Sequence, residues 1–426
     1  MIQQTVLPFK LEITRDTITS HAGLALLGEF CVGLDLPGVI DRCLPKPGSG
    51  AGYKASEYVF PLVLMLNGGG RSLEDLRVIR GDVGLGEILP LKRIPSSDAA
   101  GDWLRRMGQG EGLEGLAEAK RRFLKRALKY DGIKGYTLDI DATGIEAQKE
   151  SAAMTYKGFT GYMPIVGNLA ENGLVVGDEF RDGNQSPGSR NLEFIKYCIQ
   201  QMPTGKRIKA LRADAASYQA NIINFCDEQD MEFAIGADLD EAVLRAIKSL
   251  PESEWQPYRG GHIAETVHCM NRTQKAFRLI VVRRPYQKGL FGQENIKLSY
   301  TAIASRRVGL ADAVMDWYHQ RGDCSENRIK ELKIGFGMER MPCGQTVANA
   351  VFFRIGAMAY NAYRLFALKT LDVGWHKHQV QTVRWRLYQT AGKIVDHANR
   401  VYLKVGRGLY RLFAKIRLRI WEFANT

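Results

Sequence analysis

Two aspartates and a glutamate occupy positions where a carboxylate could do chemistry. In the run Thr137-Leu138-Asp139-Ile140-Asp141-Ala142-Thr143, apolar and polar residues alternate, so Leu138 and Ile140 share one strand face while Thr137, Asp139 and Asp141 share the other. A carboxylate on a buried central strand is costly unless a metal or a cationic partner compensates it. The strand-like run 207–214, RIKALRAD, closes on Asp214 in the same way. If the two strands are adjacent and parallel, as a right-handed helical crossover allows, Asp141 and Asp214 lie side by side at their C-terminal ends. Joined by a third acid from a later helix, they would hold two divalent cations about 3.5–4 Å apart for in-line phosphodiester chemistry. Oxygen donors of this kind select Mg²⁺, with Mn²⁺ as a substitute.

The third acid is expected in YHQRGDCSENRIKELK (318–333), where Glu326 and Lys333 are seven apart and fall on one helix face with Lys330 between them. Cations beside a metal ligand (Arg328, Lys330 and Lys333) suit a site that binds a phosphate backbone. Taken alone, this stretch reads as an ordinary surface helix with Glu326 and Lys330 as an i,i+4 pair. Only the combination of three acidic segments argues for a site. Asp139 and Glu331 are the fallback acids.

The elements that must position these residues follow from periodicity. Residues 20–44, 55–66, 72–80 and 96–107 read as helices, the last opened by Pro95, Ser96 and Ser97 and carrying Trp103, Arg105 and Arg106. Such a set fits either a helix-turn-helix-like DNA reader or a plain helical bundle. The Gly-rich loop between the first two helices is no phosphate-binding loop, because Tyr53 separates Gly52 from Lys54, and no nucleotide cofactor is expected. A helix over 112–129 leads into strands: TLDIDAT, YMPIVGNLA, a turn at Glu171-Asn172-Gly173, and LVVGDEF. Helix, strand, helix and strand follow, giving βββαβαβ. Residues 245–305 return to strand-like runs, and from Ala311 the pattern is helical to the end. The expected architecture is α/β: a mixed sheet flanked by helices and interrupted by a β-rich insertion. Five regions follow, with bounds at 1–110, 111–240, 241–305, 306–368 and 369–426.

The composition is that of a globular chain, with 45% hydrophobic and 25% charged residues in 426, which argues against disorder and fibrous repeats. The formal net charge of +13 favours a polyanionic partner. Residues 369–420 hold twelve Lys or Arg and only two acids, Asp372 and Asp396. On a single helix Lys404, Arg407, Arg411 and Lys415 would form one stripe and Leu409, Leu412, Phe413, Ile416 and Ile420 another, a basic amphipathic helix suited to phosphate contact. The β-rich block contributes Arg283 and Arg284 as further candidates. The seven cysteines are scattered and never spaced as CxxC, so neither a disulfide framework nor a zinc knuckle is expected. No apolar run reaches the roughly 18–20 residues of a membrane span, and no export signal is evident, so no membrane partner is expected and the location is expected to be cytoplasmic.

The ordered set DIDAT, LRADAASY and YHQRGDCSENRIKELK resembles the bacterial insertion-sequence transposases with an RNase H-like DDE core, in the branch with a β-rich insertion before the last acid. KGFTGYMP (157–164) and RDGNQSP (181–187) resemble segments around the second and third strands of that core, and the likeness runs over roughly residues 20–420. It implies Asp141, Asp214 and Glu326 as the metal-binding triad. A Tyr-Arg-Glu-Lys signature is matched by Tyr318, Arg321, Glu326 and Lys333, with Tyr318, Arg321 and Lys333 contacting the transposon end. It further implies cut-and-paste chemistry on double-stranded DNA at terminal inverted repeats, strand transfer into target DNA, a homodimer bridging two ends, and a nucleoid-associated location. The alternatives are a nuclease that does not join strands, and a DNA-binding relic of a transposase. One departure stands out: the family places three residues between the arginine and the glutamate, whereas Gly322-Asp323-Cys324-Ser325 supplies four. On a continuous α-helix at about 100° per residue this rotates Arg321 away from Glu326. Either a helix starts after Arg321, capped by Asp323 or Ser325, or the arginine has another role.

Overall fold

The computed structural model describes residues 7, 9–129, 131–287, 296–322 and 326–425. Alternating apolar residues build one nine-stranded mixed sheet from β1 (Gly135–Ala142), β2 (Ile165–Leu169), β3 (Val175–Glu179), β4 (Arg207–Ala213), β5 (Glu232–Gly236), β6 (Gln256–Tyr258), β7 (Gly261–His268), β8 (Phe277–Gln287) and β9 (Ile296–Ser305). Their order across the sheet is β6-β7-β8-β9-β5-β4-β1-β2-β3. β1, β2 and β3 form the expected antiparallel meander, and Gly173 at φ 81° with Asn172 accepting from Leu174 N makes its turn. β4 lies parallel to β1 and β5 parallel to β4, each reached through a helix. The βββαβαβ order is therefore present. The strands expected between 245 and 305 continue the same sheet, because β9 pairs antiparallel with β5 from Ile303–Gly236 to Ser305–Ala234.

The helices are α1 (Ala22–Gly33), α2 (Leu36–Cys43), α3 (Ala55–Gly68), α4 (Leu76–Gly81), α5 (Val83–Ile88), α6 (Ser97–Gln109), α7 (Gly112–Leu128), α8 (Asn191–Gln200), α9 (Ala220–Glu228), α10 (Glu241–Lys248), α11 (Ala311–Arg321), α12 (Asn327–Lys330), α13 (Thr346–Thr370), α14 (Val380–Val383) and α15 (Arg407–Ala424). The helix expected over 20–44 is two, broken where Asp35 takes φ 55° before Pro37. α6 begins as its sequence indicates, with Ser96 accepting from Ala99 N, and Trp103 stacks on Tyr58. α13 is apolar nearly all round and is the axis on which α1, α3, α6, α7 and α15 pack. No single helix among the described residues is long and apolar enough to cross a membrane, and α1 and α2, which pass that test only as a bent pair, lie largely buried.

Two connections tie this helical body to the sheet. Asp178 of β3 is fully buried between Lys120 of α7 and Arg354 of α13, whose Nε donates to it at 2.8 Å. Asn361 of α13 takes both Val175 N and Val175 O at 2.8 Å, satisfying the outer edge of β3. The chain from Ala311 is not helical to its end. Gly392–His397 and Arg400–Val405 form a hairpin, with Ala398 and Asn399 at φ 52° and 59°, and Thr17–Thr19 adds to it as a third strand. Period-two alternation through Val401, Leu403 and Val405, with a turn at Ala398-Asn399, was the overlooked sign.

Candidate active site

β1 and β4 run abreast with Asp139 opposite Arg212, so two residues further on each strand delivers Asp141 and Asp214 to neighbouring ends. α11 packs across β4 and β5 and brings Tyr318 and Arg321 to the same end. Arg321 Nη2 lies 3.2 Å from Asp141 Oδ1 and 3.4 Å from Ile140 O, while its buried Nε has no partner among the described residues. Glu326 joins Asp141 in lining a cavity of about 310 Å³ together with Thr143, Lys330, Lys333 and Glu339.

The electrostatics report the convergence. Burial raises the Asp141 carboxyl to about 6; Arg321 and Lys157 pull it down, while the carboxylates of Asp214 and Glu326 push it up. Tyr318 is raised by burial, with Arg321 opposing and Asp214, Asp141 and Glu326 adding to the shift. The five side chains therefore share one field. A Cβ on Gly236 would come within 2.9 Å of the Tyr318 hydroxyl and 3.1 Å of Ala215 N, so glycine at the end of β5 leaves the room in which that ring sits beside Asp214. Nothing in the spacing of acids points to Gly236, because its part depends on the neighbouring strand.

The extra residue between Arg321 and Glu326 falls in a stretch of which the two ends are described. Arg321 ends α11, and Gly322 and Glu326 both keep helical backbone angles and have π-helical hydrogen bonding. Arg321 and Glu326 both stand near Asp141 despite the four intervening residues. A further helix, α12, begins at Asn327, and the expected caps Asp323 and Ser325 lie outside the described residues.

Beneath the site lies a second carboxylate–guanidinium pair. Arg212 donates through Nε and Nη2 to the two oxygens of Asp139 at 2.7 and 2.8 Å in a buried pair, and through Nη1 to Trp317 O at 2.6 Å. Asp139 is therefore satisfied within the protein. Glu331, the other fallback acid, accepts from Val380 N at 2.6 Å and lies outside the cavity. Sequence reasoning missed Arg212, although it shares the strand face of Asp214 as Asp139 shares that of Asp141.

The cationic candidates separate. Lys330 is exposed on the cavity wall, and Lys333 donates to Gly144 O at 2.6 Å. Arg328 spends its guanidinium on Leu169 O and Ala170 O, holding the β2–β3 turn. Arg283 is bidentate to Glu252 and stacks on Trp255, whereas Arg284 is half-buried. Arg105 pairs with Asp102, and Arg106 is exposed. In the tail, Lys404 lies on a strand opposite Lys393 and so leaves the expected helical stripe. Arg407 and Arg411 are exposed on α15, and Lys415 pairs with Asp372. The apolar stripe is as expected, with Phe413, Ile416 and Ile420 buried.

Three carboxylates with hard oxygen donors fit a divalent cation in their chemistry. In the geometry described they stand as an open set, since no three acidic, histidine or cysteine side chains among the described residues are close enough to enclose an ion. Residues 7–418 match the family described as transposase DDE domain group 1. The chain belongs to that family. This DDE transposase is thus a member of a DNA-transposing enzyme family, and the match spans helical body and sheet alike. No curated protein matches its sequence.

Proposed function

We propose that this transposase cuts an insertion sequence from DNA at terminal inverted repeats and joins it to a target, with Asp141, Asp214 and Glu326 as the metal-holding acids of an RNase H-like core. The observation that carries this reading is the meeting of the three acids around Asp141, whose carboxyl is raised to about 6 by burial and by the charges of the other two. A carboxylate held in such a field gains from a cation. The strand order β3-β2-β1-β4-β5, with only β2 antiparallel to both its neighbours, supports the RNase H-like assignment.

Bound Mg²⁺ or Mn²⁺, two ions in this reading, supplies Lewis acidity that offsets phosphate charge and eases deprotonation of the attacking hydroxyl. The chain's own groups do the rest. Arg321 places a fixed positive charge beside Asp141, where a phosphate would bind. Lys330 and Lys333 line the same cavity and steer the backbone toward it. Tyr318, half-buried near Asp214, fixes the wall against which the DNA end rests. Exposed Arg106, Arg407 and Arg411 extend phosphate contact away from the cavity, and a homodimer would bring two ends together.

The test is an assay with purified protein, Mg²⁺ or Mn²⁺, a plasmid carrying the element's two ends and a second target plasmid, with Asp214→Asn as control. Excision and joined products that vanish in the variant are expected. Cleavage without joining would move the protein to the nuclease reading, and DNA binding without cleavage to the relic.

A further inference from the structure

Residues 9–15 belong to no helix or strand, yet they alternate as a strand does: Phe9, Leu11 and Ile13 are 64%, 90% and 99% exposed, with Lys10 and Glu12 between them. A row of large apolar groups left this bare marks a surface that is covered in use. The segment leads into Thr17–Thr19, whose pairing of Thr17 with Ile394 directs the preceding residues toward and past the hairpin tip at Ala398-Asn399.

The opposite side of that small sheet presents a matching surface. Arg400–Val405 pairs on one side only among the described residues, so its other edge offers unpaired backbone N–H and C=O groups. Beside this edge lies an apolar groove of about 740 Å³, walled by Leu26, Leu89, Val401, Leu403 and Phe413, with Glu87 and the Glu29–Arg417 ion pair also lining it. An open strand edge next to an apolar groove is the arrangement that captures an extended segment, main-chain bonds holding it and alternate side chains filling the groove.

We propose that the groove and strand edge receive the 9–13 arm of a second copy of this chain. The arm would add as a fourth strand, with Phe9, Leu11 and Ile13 turned into the groove and Lys10 and Glu12 turned to the opposite face. Its own arm leaves from the far strand of the sheet, two strands from the open edge. Arm and groove are present on every copy, so exchange in both directions closes a two-fold pair. This surface shares no residue with the cavity of Asp141 and Glu326, and it is tested without DNA or metal.

The full chain is followed by light scattering across a dilution series, beside Phe9→Asp/Leu11→Asp, which spoils the arm, and Val401→Asp, which spoils the groove at a residue 49% exposed. Circular dichroism and thermal unfolding confirm that both variants fold. The unchanged chain is expected to reach the mass of two chains at high concentration, each variant to remain at one, and an equimolar mixture of the two variants to recover pairs through the one intact arm and the one intact groove. A single-chain mass for the unchanged protein at every concentration, as when the arm covers its own groove, would overturn the proposal. So would pairing by the arm variant alone.

Discussion

Asp139 and Asp141 stand two residues apart on one strand face, each beside an arginine, and they are used in opposite ways. Asp139 receives both prongs of Arg212 at 2.7 and 2.8 Å in a fully buried pair whose third donor reaches Trp317 O. Asp141 receives a single contact of 3.2 Å from Arg321, whose Nε is left without a partner among the described residues, and faces two further carboxylates. A carboxylate whose two oxygens are both paired with a guanidinium inside the protein positions elements. One left half-compensated keeps oxygens for something the chain does not contain. The Arg212 clamp binds the strands that carry Asp141 and Asp214 to the helix that carries Tyr318 and Arg321, so the lower pair aligns the upper one.

This contrast is open to attack in four ways. The largest effect is expected from Asp141→Asn, which should lower DNA cleavage by at least about 10³-fold, or roughly 4 kcal/mol of barrier, while leaving the fold intact; retained cleavage would remove Asp141 from the chemistry. Next comes Asp139→Asn, where loss of one partner from a buried ion pair should cost about 3–5 kcal/mol of stability, read by urea unfolding. The double change Asp139→Leu/Arg212→Met should recover much of that loss, since the buried guanidinium no longer stands uncompensated. If the single variant unfolds like the parent, the clamp is not structural.

A pH experiment on metal-free protein separates the pairs a third way. The folded carboxyl of Asp141 is raised from 3.8 to about 6, so the folded state holds the proton more tightly and stability falls as pH rises from about 4 through 6. The loss is on the order of 3 kcal/mol at one unit per 1.36 kcal/mol. Comparing the parent with Asp141→Asn isolates this slope, which should be absent from the variant. The smallest effect is expected from deletion of Gly322, which restores three residues between arginine and glutamate, the spacing that sets both on one face of a continuous α-helix. Cleavage should stay within about tenfold of the parent, or 1.4 kcal/mol. A deletion that abolishes cleavage in a folded protein would mean that the four-residue spacing itself sets the geometry.

Much of this was legible in the residues. Strand alternation located β1, β4 and β5, the turn residues located the β2–β3 hairpin, and strand ends at Asp141 and Asp214, with Glu326 added from the resemblance in the third segment, named the candidate acids. The hairpin at 392–405 was misread because basic residues spaced three and four apart satisfy a helical stripe even when apolar residues in the same stretch alternate with period two. Arg283 and Arg328 looked available for DNA because a sequence displays charge but not the Glu252 carboxylate or the Leu169 and Ala170 carbonyls that occupy it.

By itself the sequence determined which stretches bury apolar surface, and in what order acids and cations follow one another, because periodicity and residue type are local properties. Only the tertiary structure decided which carboxylate is spent and which is spared. That choice depends on Arg212 from a neighbouring strand and Arg321 from a helix that returns after the inserted strands. A buried charge takes its meaning from the partner that meets it in space, and no reading along the chain contains that distance.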